Sequence, residues 1–224
     1  MDVDAKWAVI AGQRRALARL MDGRPEEDWE RPSVCGEWRV RDVVAHVALT
    51  PRSPGVGAIL LAAVRARGDF DGINRDMARE HAARTPARLV ADLAETADSR
   101  RKPAITTLDN LLFDVLVHVQ DVALPLGVEH PMPPDAAREG VERVWRMGWP
   151  FWAKRKLRGL RLEATDVDWT VGNGPAVRGP AQSLLLLLTG RNAAALPALD
   201  GAGVARLSQG ALQNGSYGRS RGAG

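Results

Sequence analysis

Apolar residues recur at helical spacing through the first two-thirds of the chain, and that period restricts the fold more than any other feature. Trp7, Ile10, Ala11, Leu17 and Leu20 mark a first amphipathic helix that stops near Gly23 and Pro25. A loop from Trp29 to Glu37, carrying Pro32, Ser33, Cys35 and Gly36, feeds a valine-striped helix through Val40, Val43, Val44 and Val47. Thr50-Pro51 breaks that helix, and Ile59–Arg67 and Ile73–Arg84 read as shorter helical pieces around a turn at Gly68–Gly72. Thr85-Pro86 has the order of an N-cap and a first helical turn, opening a helix through Leu89, Leu93 and Ala97. Leu108–Ala123 is the next helix, closed by Pro125-Leu126-Gly127. A last long helix is expected from Pro134 to about Lys156, interrupted at Pro150. Long helices joined by short connections specify an up-down bundle.

The pattern changes near residue 158. Leu160–Ala164 and Asp168–Val171 alternate like two short strands with a turn near Thr165-Asp166. Val177-Arg178-Gly179-Pro180 then opens a helix through Leu184–Leu188, ended by Gly190. We therefore expect a mainly α protein: a helical bundle over 1–157, a small α/β domain over 158–207, and a flexible Gly-, Ser- and Arg-rich tail over 208–224.

At 224 residues, 45% hydrophobic and 26% charged, the chain has the composition of a globular protein. The apolar run Ala58–Val64 is far too short to span a membrane. The N-terminus, Met1-Asp2-Val3-Asp4, is acidic where a secretory signal is basic, so a cytoplasmic location is expected. A single cysteine, Cys35, excludes an intramolecular disulfide and any multi-cysteine metal site. The net charge of +4 is modest. The basic cluster Lys154-Arg155-Lys156-Leu157-Arg158 lacks interleaved aromatics beyond Trp152 and reads as a solvated helix end, so no nucleic-acid partner is expected.

The chemistry concentrates in three residues. Asp114 and His118 stand at i and i+4, which stacks them on one helix face. His46 lies in another helix, at the edge of its valine stripe. Two imidazoles and a carboxylate converging from two helices suit a divalent metal with positions left open. Asp121, three residues past His118, is placed to hold the distal imidazole nitrogen. The same residues also fit a hydrogen-bonded core histidine, an intrahelical ion pair and a surface carboxylate.

His81 and His130 have no partner at ligand spacing and are expected to face solvent. Cys35 has no histidine near it in sequence and reads as a small packed loop residue rather than a nucleophile. Trp29 and Trp38 are expected to pin the loop they bracket. Trp145, Trp149 and Trp152 read as an apolar helix stripe, facing the core or, alternatively, lining a pocket.

Three segments carry a resemblance. Residues 29–46 (WERPSVCGEWRVRDVVAH) resemble the approach to the metal-binding helix of mycothiol-dependent maleylpyruvate isomerase-like proteins, an actinobacterial branch of the DinB-like metalloenzymes. Residues 113–127 (FDVLVHVQDVALPLG) resemble their second signature, in which a carboxylate precedes a histidine by four residues. Residues 163–169 (EATDVDW) with Leu188-Thr189-Gly190-Arg191 resemble that branch's smaller second domain.

The resemblance implies a DinB-like four-helix bundle holding a divalent metal, usually zinc, on His46, Asp114 and His118. It also implies mycothiol as a thiol cofactor or co-substrate. The chain departs from the pattern at Asp114, where the isomerase is expected to carry glutamate. The expected function is thus a transferase or isomerase in which a metal-bound thiolate attacks a small electrophilic, anionic substrate. Arg178 and Arg191 are candidate cationic contacts for it. Two other readings stay open: a non-catalytic ligand-binding or regulatory bundle, and a thiol-independent metalloenzyme of specialised metabolism. A monomer or homodimer is expected.

Overall fold

The structure, a computed structural model, describes residues 1–36, 38–52, 77–103 and 106–207. The helical piece expected at Ile59–Arg67, the Gly68–Gly72 turn and the tail over 208–224 lie outside the described residues. Of the piece expected at Ile73–Arg84, residues 77–82 are described and helical.

Each bundle helix begins where the local chemistry supplies a cap. Helix α1 (Val3–Met21) starts behind Asp2, whose carboxylate accepts from the Ala5 amide at 2.7 Å. After the short α2 (Glu26–Glu30), helix α3 (Val40–Leu49) opens on a capping box in which the Asp42 carboxylate accepts from the Arg39 amide at 2.9 Å. Helix α4 (Pro86–Thr96) is capped by Thr85 with proline in its first turn. In α5 (Leu108–Ala123) the Thr107 hydroxyl accepts from the Asn110 amide at 3.1 Å.

The apolar faces then decide the packing. Helix α1 packs on α4 and α5, and α3 packs on the same two, which closes a four-helix bundle. Ile10 and Leu17, Val43 and Val44, Leu89 and Leu93, and Leu112 and Leu116 fill its interior. The expected bundle is present.

The sixth helix corrects the expectation. Helix α6 runs Pro134–Arg146 and stops there, and only a short α7 (Ala153–Lys156) follows. A proline ring collides with the carbonyl four residues earlier, and for Pro150 that residue is Arg146, the last helical one. The tryptophans consequently form no core stripe: Trp149 is 59% and Trp152 42% exposed.

The described residues divide into two compact units, one up to residue 140 and the other from residue 141, with the division inside α6. The second unit holds a three-stranded sheet of order β2-β1-β3, built from β1 (Arg161–Ala164), β2 (Thr170–Gly172) and β3 (Ala176–Gly179). Strand β1 is antiparallel to β2, with Leu162 opposite Val171, and parallel to β3, with Leu162 opposite Val177. The segment around Val177, expected to open a helix, is thus a strand, because it completes the free edge of β1. Gly172 turns the chain at φ +77, where a Cβ would meet the Leu160 carbonyl oxygen at 2.3 Å. Helix α8 (Ala181–Leu188) packs its leucines against β1 and β3, and the Asp166 carboxylate accepts from the Ala181 amide at its start. The small α/β domain expected after the bundle is present. Among the described residues, no helix is long and apolar enough to cross a membrane.

Candidate metal centre

His46 comes from the last turn of α3, and Asp114 and His118 come from adjacent turns of α5, against which α3 packs. The loop before α3 is fixed by the wholly buried Trp29 and by the Val34 amide, which donates to the Asp121 carbonyl oxygen at 3.2 Å. At the other end of α3 the Thr50 hydroxyl donates to the His46 carbonyl oxygen at 2.9 Å.

The structure brings the three residues together. His46 Nε2 lies 3.4 Å from Asp114 Oδ2, and His118 Nε2 lies 3.4 Å from Asp114 Oδ1. One donor atom from each residue falls within 4.8 Å of the other two. These separations are long for hydrogen bonds. They match the edge of a tetrahedron with zinc-like bonds of about 2.1 Å, which is about 3.4 Å.

Asp121 completes the arrangement: wholly buried, its Oδ2 accepts a hydrogen bond from His118 Nδ1 at 2.9 Å. With a proton held on Nδ1, Nε2, on the side of Asp114 and His46, is the nitrogen that can be freed to bind a metal. The Asp114 side chain keeps 31% exposure, so the cluster is open to solvent on one side.

The electrostatics are those of a carboxylate and an imidazole that stabilise each other's charge. Desolvation opposes ionisation of Asp114, but the charges and hydrogen bonds of His118 and His46 outweigh it and hold the carboxyl well below the usual range. Desolvation likewise favours a neutral His118, yet Asp114 and then Asp121 push its pKa up to about 10. A metal taking Nε2 must therefore displace a proton.

Two neighbours had no signal in the sequence. Trp38, expected to pin its loop, walls the cluster: its ring is 5.5 Å from His46, edge on, and 6.2 Å from His118 with planes 10° apart. Cys35 has no histidine near it in sequence, but chain folding places it beside His118. Cys35, His118 and Asp121 bring donor atoms within 4.8 Å of one another. That second group shares His118, whose Nδ1 is already engaged with Asp121, so the group with His46 and Asp114 is the better cation site.

Two histidines expected at the surface are not there. His81 is 8% exposed, with Nε2 3.1 Å from Oδ2 of the fully buried Asp92. His130 is half-buried, with Nε2 2.8 Å from Gln13 Oε1. Both partners lie on other helices, so spacing along the chain could not reveal them. Arg178 and Arg191 belong to the second unit. Arg178 Nε donates to Glu163 Oε2 at 3.3 Å, and Arg191 donates to the Thr189 carbonyl oxygen at 2.8 Å.

No curated protein matches the chain. Two solved structures share its fold. A crystal structure of the mycothiol-dependent maleylpyruvate isomerase is 14% identical, with a TM-score of 0.62 over 90% of this chain and 93% of that one. A histidine-to-alanine mutant of that isomerase is 12% identical, with a TM-score of 0.61 over the same shares. Residues 10–123, which include His46, Asp114, His118 and Asp121, match the family profile described as the mycothiol maleylpyruvate isomerase N-terminal domain, and the chain belongs to that family.

Proposed function

We propose that this protein is a metal- and thiol-dependent enzyme of the isomerase or transferase type, using mycothiol on a small electrophilic, anionic substrate. The observation that carries the reading is the pair of imidazole nitrogens 3.4 Å from the two oxygens of Asp114. Family membership supports the thiol, because the fold relatives are named as mycothiol-dependent isomerases.

His46, Asp114 and His118 fit a divalent metal by donor chemistry: two nitrogens and one carboxylate are the ligand set of many catalytic zinc sites. When bound there, the metal supplies a Lewis acid at which a thiol loses its proton and becomes a nucleophile at neutral pH. Asp121 holds the His118 tautomer that presents Nε2. Trp38 shields the imidazoles from water on one side, and the exposed edge of Asp114 leaves the approach for thiol and substrate. Such a reaction belongs in the cytoplasm, where a low-molecular-weight thiol stays reduced.

Elemental analysis of protein purified without chelator tests the centre. We expect close to one divalent metal per chain, lost in His46→Ala and in His118→Ala while circular dichroism stays helical. Full metal retention in both variants would sink the triad. Turnover of maleylpyruvate that proceeds without any thiol would sink the thiol dependence.

A further inference from the structure

Trp152 holds its backbone in a conformation that suits glycine. At φ +52 it is the only non-glycine residue with positive φ among the described residues. A bulky side chain is strained there, and such strain persists only where the surroundings impose it. Burial does not account for it, since the residue keeps 42% exposure. Its amide donates to the Gly148 carbonyl oxygen at 2.7 Å, and its ring lies so close over Gly148 that a Cβ there would meet it at 3.3 Å. The Arg155 guanidinium stands 5.0 Å from the ring centroid. The indole thereby walls an open cleft of about 410 Å³, which the half-buried Trp145 also lines. Small-molecule sites begin at about 300 Å³. The charged lining is entirely cationic: Arg146, Lys154, Arg155 and Arg158. Arg146 pairs with Glu142, which is not part of the lining. Among the described residues, no carboxylate pairs with Lys154, Arg155 or Arg158.

We propose that this cleft binds a small flat aromatic molecule carrying a phosphate dianion, an aryl phosphate in class. None of its residues belongs to the candidate metal centre, so the site is independent of the function proposed above. Three cations without a carboxylate repel one another, and a dianion among them removes that repulsion. Guanidinium forks suit phosphate oxygens, and indole faces suit a flat ring, so neither half of the ligand alone satisfies the lining. The left-handed backbone of Trp152 holds its ring at the cleft before any ligand arrives. A nucleic-acid strand needs a groove that tracks its backbone and a row of stacking platforms. A single cleft of this size instead takes one ring and one phosphate.

The test titrates 1-naphthyl phosphate into the full chain and follows the indole N–H resonances, assigned with the Trp38→Phe, Trp145→Phe and Trp152→Phe variants. We expect Trp145 and Trp152 to shift to saturation and Trp38, beside the candidate metal centre, to stay. Inorganic phosphate and 1-naphthol, each lacking half of the ligand, should bind at least about tenfold weaker. Trp152→Gly suits the left-handed backbone and removes the ring, and it should weaken binding at least about tenfold. The triple variant Lys154→Gln/Arg155→Gln/Arg158→Gln, which removes the unpaired charge, should do the same. All four positions are exposed, so circular dichroism of both variants should match the unaltered protein. Unchanged affinity in either folded variant overturns the proposal. So does a shift confined to Trp38, no shift at all, or equal binding of inorganic phosphate or of 1-naphthol. Tighter binding of a single-stranded oligothymidylate at the same two indoles overturns it in favour of a nucleic-acid surface. Should a variant not fold, the comparison of the three small ligands on the unaltered chain decides.

Discussion

At position 114 a carboxylate one methylene shorter than the glutamate expected of the isomerase faces two imidazoles, with each oxygen 3.4 Å from one nitrogen. A dication there needs the negative charge more than the shape. Asp114→Asn, which keeps the volume, should lower metal affinity more than about tenfold, whereas Asp114→Glu should retain metal. Equal affinity in the aspartate and asparagine proteins, measured by chelator competition, would remove Asp114 from the ligand set. We expect Asp121, hydrogen-bonded to His118 Nδ1, to act through that histidine rather than on the metal. Asp121→Asn should weaken metal binding by about ten- to a hundredfold, the usual cost of losing a carboxylate behind a ligating histidine. An unchanged affinity would leave Asp121 as a packing residue only. The spacing of Asp114, His118 and Asp121 was legible because one helix carries all three. Trp38 and Cys35 were not, because loop closure and helix packing bring them beside the histidines.

At the scale of elements, α5 carries most of the candidate centre and depends on a single cap. Thr107→Ala removes the acceptor of the Asn110 amide and should cost about 1 kcal/mol in chemical denaturation. Metal affinity in the folded protein should stay unchanged, since the cap lies two turns from Asp114. A combined loss of stability and metal would mean that the helix start positions the ligands directly. The helices were readable where apolar period and caps agree, as at Thr85-Pro86. The reading placed an interruption at Pro150 but kept Trp145, Trp149 and Trp152 on one core-facing stripe, whereas the helix ends at Arg146 and Trp149 and Trp152 are exposed. The reading also failed at Ala176–Gly179, a four-residue strand that becomes one only by pairing with β1.

For the molecule as a whole, stability should respond to both metal and protons. A metal that binds only the folded chain adds about 4 kcal/mol at a thousand times its dissociation constant. Chelator should therefore lower the thermal midpoint reversibly, and a midpoint indifferent to chelator would argue against a resident metal. Protonation acts through His81. Burial, with Arg84 and Arg52 nearby, lowers its pKa despite the facing Asp92. The unfolded ring takes up its proton near pH 6.5 while the folded one resists, so this contribution is present above that pH and is lost as pH falls. His81→Gln in chelator-treated protein should therefore lose less stability than the unaltered chain between about pH 7 and 5. Parallel losses in the two proteins would discard the mechanism.

The sequence alone determined the bundle, its caps and the placing of Asp114, His118 and Asp121 along one face of one helix. All of these follow from periods of 3.6 residues and from contacts within one turn. Tertiary structure decided the rest. It brought His46 to Asp114, buried His81 against Asp92, set Cys35 beside His118, and placed Trp38 edge-on to His46 and parallel to His118. Those pairings cross from one element to another, and the free energy that selects them comes from packing apolar faces, which spacing along the chain does not encode.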